Sequence, residues 1–259
     1  MSNPAGQLLI DAPAPSIRVL TLNRPDQRNA VRTSLLEDIA DALHDADADA
    51  AVRAVVITGG PDIFAAGADI REMAAMSAVD AAGDSRPEFW RRIAAFAKPL
   101  IGAVNGYCLG AGNELLLRCD LAVAGPTARF GQPEINVGVM PGAGGAALLP
   151  RLIGPKRAAR LAMLCEFLTA HEALSCGLVS HVSDKDALAD AIRLAEKLSV
   201  RAPLAVEAVK DMIRHGGDMT AAQALAYERK HFSLLFATDD KREGVDAFLG
   251  KRKPAFRGV

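Results

Sequence analysis

Residues 105–120 read NGYCLGAGNELLLRCD. Three small residues, Gly110, Ala111 and Gly112, lead into a carboxylate, Glu114, and the apolar run Leu115, Leu116, Leu117 follows at once. The run marks a core helix, and the carboxylate sits where that helix starts. One reading is local. A Glu in a first helical turn interacts favourably with the helix dipole, and glycines commonly precede helices. The other reading applies the same physics to a ligand. Small residues let a ligand approach the backbone, the first amides of a helix have no internal partner, and an oxygen gaining negative charge is stabilised there.

A second small-residue loop, FAAGADI at 64–70, follows the apolar stretch VRAVVITGG at 52–60 and also reads as a strand-to-helix junction. Two such loops can each offer one amide to the same oxyanion. A second glutamate, Glu134, lies in FGQPEINVGVMPGAGG at 130–145, among neighbours that are small or apolar apart from Gln132 and Asn136. Taken alone, a Glu beside a Pro reads first as a solvated loop residue.

Around these loops the chain alternates. SIRVLTLN at 16–23, VRAVVITGG at 52–60, PLIGAVNG at 99–106 and DLAVAG at 120–125 read as short buried strands. Between the first two lies a helix. Ser34 and Glu37 have capping-box spacing, and Leu35, Leu36, Ile39, Ala42, Leu43 and Ala46 line one face. Another helix is predicted over 87–97, with Pro87 suited to its first position. The alternation predicts α/β layers. After residue 169 only LVSHV at 178–182 reads as a strand, and amphipathic helices are predicted over 202–217, 220–238 and 240–248. The expected organisation is a core over 1–200 and a helical region over 201–259.

Composition excludes several classes. The chain has 259 residues, 50% hydrophobic and 24% charged, which is enough to bury a sizeable core. Thirty basic residues against thirty-one acidic leave a net charge of -1, which gives no support for a nucleic-acid or membrane-surface partner. No apolar run reaches the ~20 residues that span a bilayer. The start, MSNPAGQLLIDAPAPS, lacks the basic and apolar regions of a signal peptide. Cys108, Cys119, Cys165 and Cys176 have neither metal-type nor redox-type spacing, so reduced thiols in a cytoplasmic protein are expected. No metal-ligand cluster is visible.

TLNRPDQRNA, FAAGADIREM, AVNGYCLGAGNELLLRCD, FGQPEINVGVMPGAGG and the ending DDKREGVDAFLGKRKPAF together resemble the enoyl-coenzyme A hydratase (crotonase) family over almost the whole chain. The resemblance implies a crotonase-like spiral of ββα units with a C-terminal helical region used in trimerisation. The assembly it implies is a homotrimer or a dimer of trimers. The implied activity is addition of water across the double bond of a trans-2-enoyl-CoA to give a 3-hydroxyacyl-CoA, in fatty-acid or phenylacetate-type degradation. No prosthetic group is implied, and coenzyme A enters as part of the substrate.

Residue by residue, the resemblance makes Glu114 the base toward water and Glu134 the acid toward the α-carbon. It makes the amides of Ala68 and Ala111 the oxyanion donors. Many relatives have Gly where this chain has Ala111, and an amide donor survives that change if the backbone dihedrals accept a Cβ. Backbone groups of AAGAD at 65–69 are implied along the coenzyme's adenine, and Ala66, Gly67, Ala68, Asp69 and Ile70 are the coenzyme-binding residues implied in this loop. Phe248 and Lys251 are implied to bind the coenzyme from a neighbouring subunit, and Arg28 stands where many relatives carry a coenzyme contact. The family's usual GGTQRL is GGAALL here, at 144–149.

Other readings compete. Δ3,Δ2-Enoyl-CoA isomerases resemble this sequence but usually keep only one of the two glutamates. Residues 85–107, SRPEFWRRIAAFAKPLIGAVNGY, look similar to hydratases specific for 2,3-dehydroadipyl-CoA. GAGGAA at 142–147 fits the G-x-G-x-x-A of dinucleotide-binding oxidoreductases, but it lies mid-chain, directly after Pro141. A non-catalytic binding protein on the same fold, for RNA as an example, fits poorly with a neutral charge and two retained glutamates.

Overall fold

The computed structural model describes residues 6–259. Residues 1–5, where part of the signal-peptide reading falls, lie outside the described residues. The chain opens with an antiparallel hairpin of β1 (Leu8–Ala14) and β2 (Ile17–Leu22). α1 (Thr33–Ala48), β3 (Ala54–Thr58), the short α2 (Ile70–Met73) and α3 (Ala78–Ala82), and α4 (Arg86–Ala94) follow. Next come β4 (Leu100–Val104), β5 (Tyr107–Leu109), α5 (Ala111–Leu116), β6 (Leu121–Ala124) and β7 (Arg129–Gly131). Helices α6 (Leu149–Ile153) and α7 (Pro155–Leu164) precede β8 (Leu168–Thr169), α8 (Ala170–Ser175) and β9 (His181–Val182). Four helices end the chain: α9 (Ala187–Ser199), α10 (Pro203–Gly216), α11 (Ala221–Leu235) and α12 (Asp239–Leu249).

Six strands form one sheet in the order β1-β2-β3-β4-β6-β9, parallel from β2 onward, and β5-β7-β8 form a second sheet. Each turn of the chain sends one strand to the first sheet and the next to the second: β4 then β5, β6 then β7. Ala65, which bridges Cys108 after β3, continues the pattern. This is the spiral of ββα units that the family resemblance implied.

The period of two along the strands sorts the core into two layers. Ile17, Val19, Ala54, Val56, Ile101, Ala103 and Val123 pack under α9, whose Ala187, Ala191 and Ala195 present a small-residue stripe at helical spacing. Their neighbours Leu20, Leu22, Val55, Ile57, Leu100, Val104 and Ala122 point the other way, into the larger cluster with α1 and α5. Parallel strands buried on both faces carry apolar residues at most positions, which is why the four strand stretches read as near-continuous apolar runs, broken in β2 at the half-buried Arg18 and Thr21.

The predicted buried face of α1 is correct at all six residues. Its predicted cap is not. The N-cap is Arg32 with no side-chain bond, and Ser34 Oγ pairs with Gln7 instead. The exposed amide at Thr33 is satisfied by Glu72, whose Oε2 accepts from Thr33 N at 2.8 Å and from Thr33 Oγ1 at 2.9 Å. The hairpin strand β1 escaped the sequence reading because its central residues, Ile10 to Pro13, are exposed and carry no half-buried alternation.

Candidate active site

The two small-residue loops lie side by side. Phe64 N and Ala65 N donate to Tyr107 O, at 3.1 and 3.0 Å, and Leu109 N donates to Ala65 O at 2.9 Å. The FAAGADI loop is held from its other side as well. Val31 N donates to Gly67 O and Asp69 N donates to Val31 O, so Ala68 sits between the two bonds with its own amide turned away from them. Ala111 opens α5, where a first-turn amide has no helical acceptor. Among the described residues neither the Ala68 nor the Ala111 amide has an acceptor. The loops carrying them meet at Gly110, where a Cβ would stand 3.5 Å from Gly67 Cα. The two predicted oxyanion amides therefore belong to neighbouring loops that are pinned to each other.

Glu134 reaches this junction, and Glu114 lies on the helix that starts there. Glu114, 4% exposed in the first turn of α5, receives two backbone amides on one oxygen: Ala143 N at 2.6 Å and Gly145 N at 2.9 Å from Oε1. Its Oε2 takes no hydrogen bond among the described residues. Glu134 begins a 3-10 turn over Glu134–Val137 and is half-buried. A Cβ on Gly110 would stand 2.7 Å from Glu134 Oε1, so only glycine lets that carboxylate come so close to the backbone between the two amide loops. With its amide turned to suit its neighbours, the fully buried Gln132 donates to Glu134 Oε1 and Oε2 at 3.0 and 3.2 Å. Burial raises the Glu134 carboxyl to about 7; a backbone hydrogen bond works against this and the Glu114 charge adds to it.

The loop GAGGAA uses its amides at 143 and 145 on an internal carboxylate. Those are the donors a dinucleotide pyrophosphate needs, which removes the physical basis of the oxidoreductase reading.

The predicted coenzyme contacts fall into two places. Ala66, Gly67, Ala68, Asp69 and Ile70 line the first loop, and Ile70 is 58% exposed. Asp69 is already engaged. Arg24 Nη2 donates to its Oδ2 at 2.8 Å and holds its carboxyl below the usual carboxylate range, with help from the Arg71 amide. Arg28 is exposed, in a left-handed conformation at φ 51°, and its carbonyl accepts from Ala66 N. Phe248 is 82% exposed and lines a cavity of about 560 Å³ whose walls all come from residues 202–256, none from the two loops. Lys251 is exposed just beyond α12, so within one chain these two are not brought to the amide loops.

Sequence reasoning missed three residues that build the site. Asn29, 2% exposed, donates to Gly59 O and Ile63 O and accepts from Arg24 N. Arg24 reaches Asp69. Arg118 Nη2 donates to Ala143 O at 2.8 Å. Asn29 and Arg24 lie in TLNRPDQRNA, but nothing in their local pattern says which strand end they lock.

Comparison with known proteins agrees with this geometry. Residues 13–259 match the family described as Enoyl-CoA hydratase/isomerase. The chain is similar to the 2,3-dehydroadipyl-CoA hydratase of Escherichia coli strain K12, 47% identical over 93% of this chain and 95% of that protein. It is also similar to the mitochondrial enoyl-CoA hydratase of Pongo abelii, at 38% over 93% of this chain and 84% of that one. The crystal structure of an enoyl-CoA hydratase from Bacillus anthracis superposes with a TM-score of 0.92 at 33% identity, covering 98% of this chain and 100% of the other. Matched along nearly its whole length by sequence and by fold, the chain belongs to the enoyl-CoA hydratase/isomerase family.

Proposed function

We propose that this enzyme adds water across the double bond of a trans-2-enoyl-CoA, giving the 3-hydroxyacyl thioester. The observation that carries the reading is the set of two amides without acceptors, Ala68 and Ala111, beside two carboxylates in different states of hydrogen bonding. The amides hold the thioester oxygen and draw electrons from the β-carbon. A donor of this kind is typically worth ~10²–10³ in rate. Glu114, with one oxygen occupied by two amides, turns its other oxygen to a water and takes the proton as the hydroxyl bonds to the β-carbon. Glu134, raised to about 7 by burial, keeps a large protonated fraction near neutral pH, and that form gives its proton to the α-carbon. The proton then sits on Glu114 in place of Glu134, and exchange with solvent restores the pair. Coenzyme A is bound as part of the substrate, its adenine along residues 66–70.

Two placed carboxylates favour hydration over Δ3,Δ2-isomerisation, which moves one proton between carbons and needs one. The direct test follows the enoyl absorbance of crotonyl-CoA and longer trans-2-enoyl thioesters with no added metal or nucleotide. Hydration with little double-bond migration is expected. Unchanged absorbance across the chain-length panel overturns the reading.

A narrower reading rests on the relative from Escherichia coli, named for 2,3-dehydroadipyl-CoA and 47% identical. A terminal-carboxylate enoyl thioester then has a higher kcat/KM than the uncharged thioester of equal length, and the reverse order removes this reading. We further propose that the chain assembles through its C-terminal helices as a trimer or a dimer of trimers, bringing Phe248 and Lys251 to a neighbour's coenzyme.

A further inference from the structure

Arg118 follows Glu114 by four residues. The helical turn continues through Leu117, so the two side chains leave the same side of α5. They grip opposite ends of one residue. Ala143 donates its N–H to Glu114 Oε1 at 2.6 Å and accepts from Arg118 Nη2 on its C=O at 2.8 Å. Gly145 N completes the hold on Glu114 at 2.9 Å. Between them Gly144 has φ +128° and no side chain; a Cβ there would meet Leu148 Cδ1 at 3.0 Å and Arg118 Nη2 at 3.6 Å. The guanidinium is enclosed as well. Its Nε is buried with no partner among the described residues, and burial pulls its pKa down while the Glu114 charge pulls it up. An arginine half-desolvated in this way is held by what it touches, and what it touches is the Ala143 carbonyl and the field of Glu114.

The loop reads GGAALL at 144–149, so its own side chains there are apolar and Leu148 packs beside Gly144. Arg118 and Leu148 converge on the same point above Gly144.

We infer that Arg118 is a positioning residue for Glu114, holding the Ala143 peptide in the orientation in which the amides of Ala143 and Gly145 aim the Glu114 carboxylate at its water. The inference rests on the hydration reading for its kinetic consequence but not for the clamp itself.

Two measurements on Arg118→Met, a charge-free side chain of similar reach, test it. Without the guanidinium, kcat falls ~10-fold, the scale of one charge-assisted hydrogen bond, and KM stays within about twofold because both oxyanion amides are untouched. In the same variant the Ala143 and Gly145 amides exchange with deuterium ~10-fold faster, while those of β3 and β4 keep their wild-type rates. Arg118→Lys, which keeps the charge but makes a single-point contact, recovers part of kcat. Wild-type kcat in Arg118→Met overturns the inference, and so does wild-type exchange at 143 and 145. Exchange that quickens uniformly through β3 and β4, with a lower Tm, also overturns it, because that is plain loss of stability. If Arg118→Met does not fold, Arg118→Lys decides: reduced kcat with faster exchange confined to 143–145 supports the clamp, and wild-type values of either sink it. Should the wild-type protein hydrate no enoyl thioester, the hydration reading fails alone and local exchange still decides the clamp.

Discussion

A Cβ at Gly110 would collide with Glu134 Oε1, and φ at this glycine is +49°, so backbone and carboxylate demand the same residue for different reasons. Glu114→Gln and Glu134→Gln keep shape and should still bind the acyl thioester, while kcat falls by ~10² or more at each site, as loss of a general acid or base implies. The double variant should be little slower than the worse single one, because the two act as a unit; steady-state kinetics beside a thioester-binding titration check both. The raised carboxyl of Glu134 also sets a pH dependence. As the proton donor it must be protonated, so kcat/KM should decline as pH rises through about 7, and the limb should vanish in Glu134→Gln. Its effect on stability has a definite sign. Between its ordinary value of 4.5 and about 7 the unfolded chain has released this proton and the folded chain has kept it, so this group's contribution falls as pH rises through that window. Denaturant unfolding of wild type and Glu134→Gln at pH 5 and pH 8 reads the difference, and equal pH trends in the two contradict it.

At the scale of elements, α1 shows how a local rule is displaced by a distant partner. Ser34 and Glu37 have the spacing of a capping box, yet Glu72 of α2 satisfies Thr33 instead. A carboxylate at a helix N-terminus also lies favourably in the helix dipole. Glu72→Ala should lower stability by about 1 kcal/mol, the usual cost of a lost cap, whereas Glu37→Ala should change it by less than about 0.5 kcal/mol. Chemical denaturation of the two variants distinguishes the caps. The same bond ties α2, next to the FAAGADI loop, to the body of the protein, so Glu72→Ala should also raise KM for the thioester.

For the whole molecule, the unsettled surface is the C-terminal one. Leu225, Phe232, Leu234, Phe236, Phe248 and Leu249 are each between 49% and 82% exposed, and they cluster on α11 and α12. Apolar exposure of this extent around a concave cavity marks an interaction face. Light scattering at micromolar concentration should return three or six times the 27.2 kDa chain mass. Phe236→Asp should shift the mass toward the monomer, and a wild-type monomer contradicts the assembly. Within the chain α10 is anchored to the core, since buried Lys210 pairs with Asp120 at 2.6 Å and caps Lys98 O at 2.5 Å. The helical region is therefore held to the core in part by buried charge.

By itself the sequence determined the strand and helix alternation, because burial on both faces forces near-continuous apolar runs and burial on one face forces a helical period. It also marked both small-residue loops, whereas each carboxylate had an ordinary local reading and was singled out only by the resemblance of the five motifs taken together. Tertiary structure alone decided which groups those loops serve. The loops carrying the Ala68 and Ala111 amides lie side by side only because β5 draws the loop at 64–70 alongside it. Glu114 becomes fixed only because residues 143–145, some thirty positions later, fold back onto it. Arg24, Asn29, Glu72 and Arg118 act across gaps that no local pattern spans. A side chain's partner is set by the path of the chain through space, while its periodicity is set by its immediate neighbours.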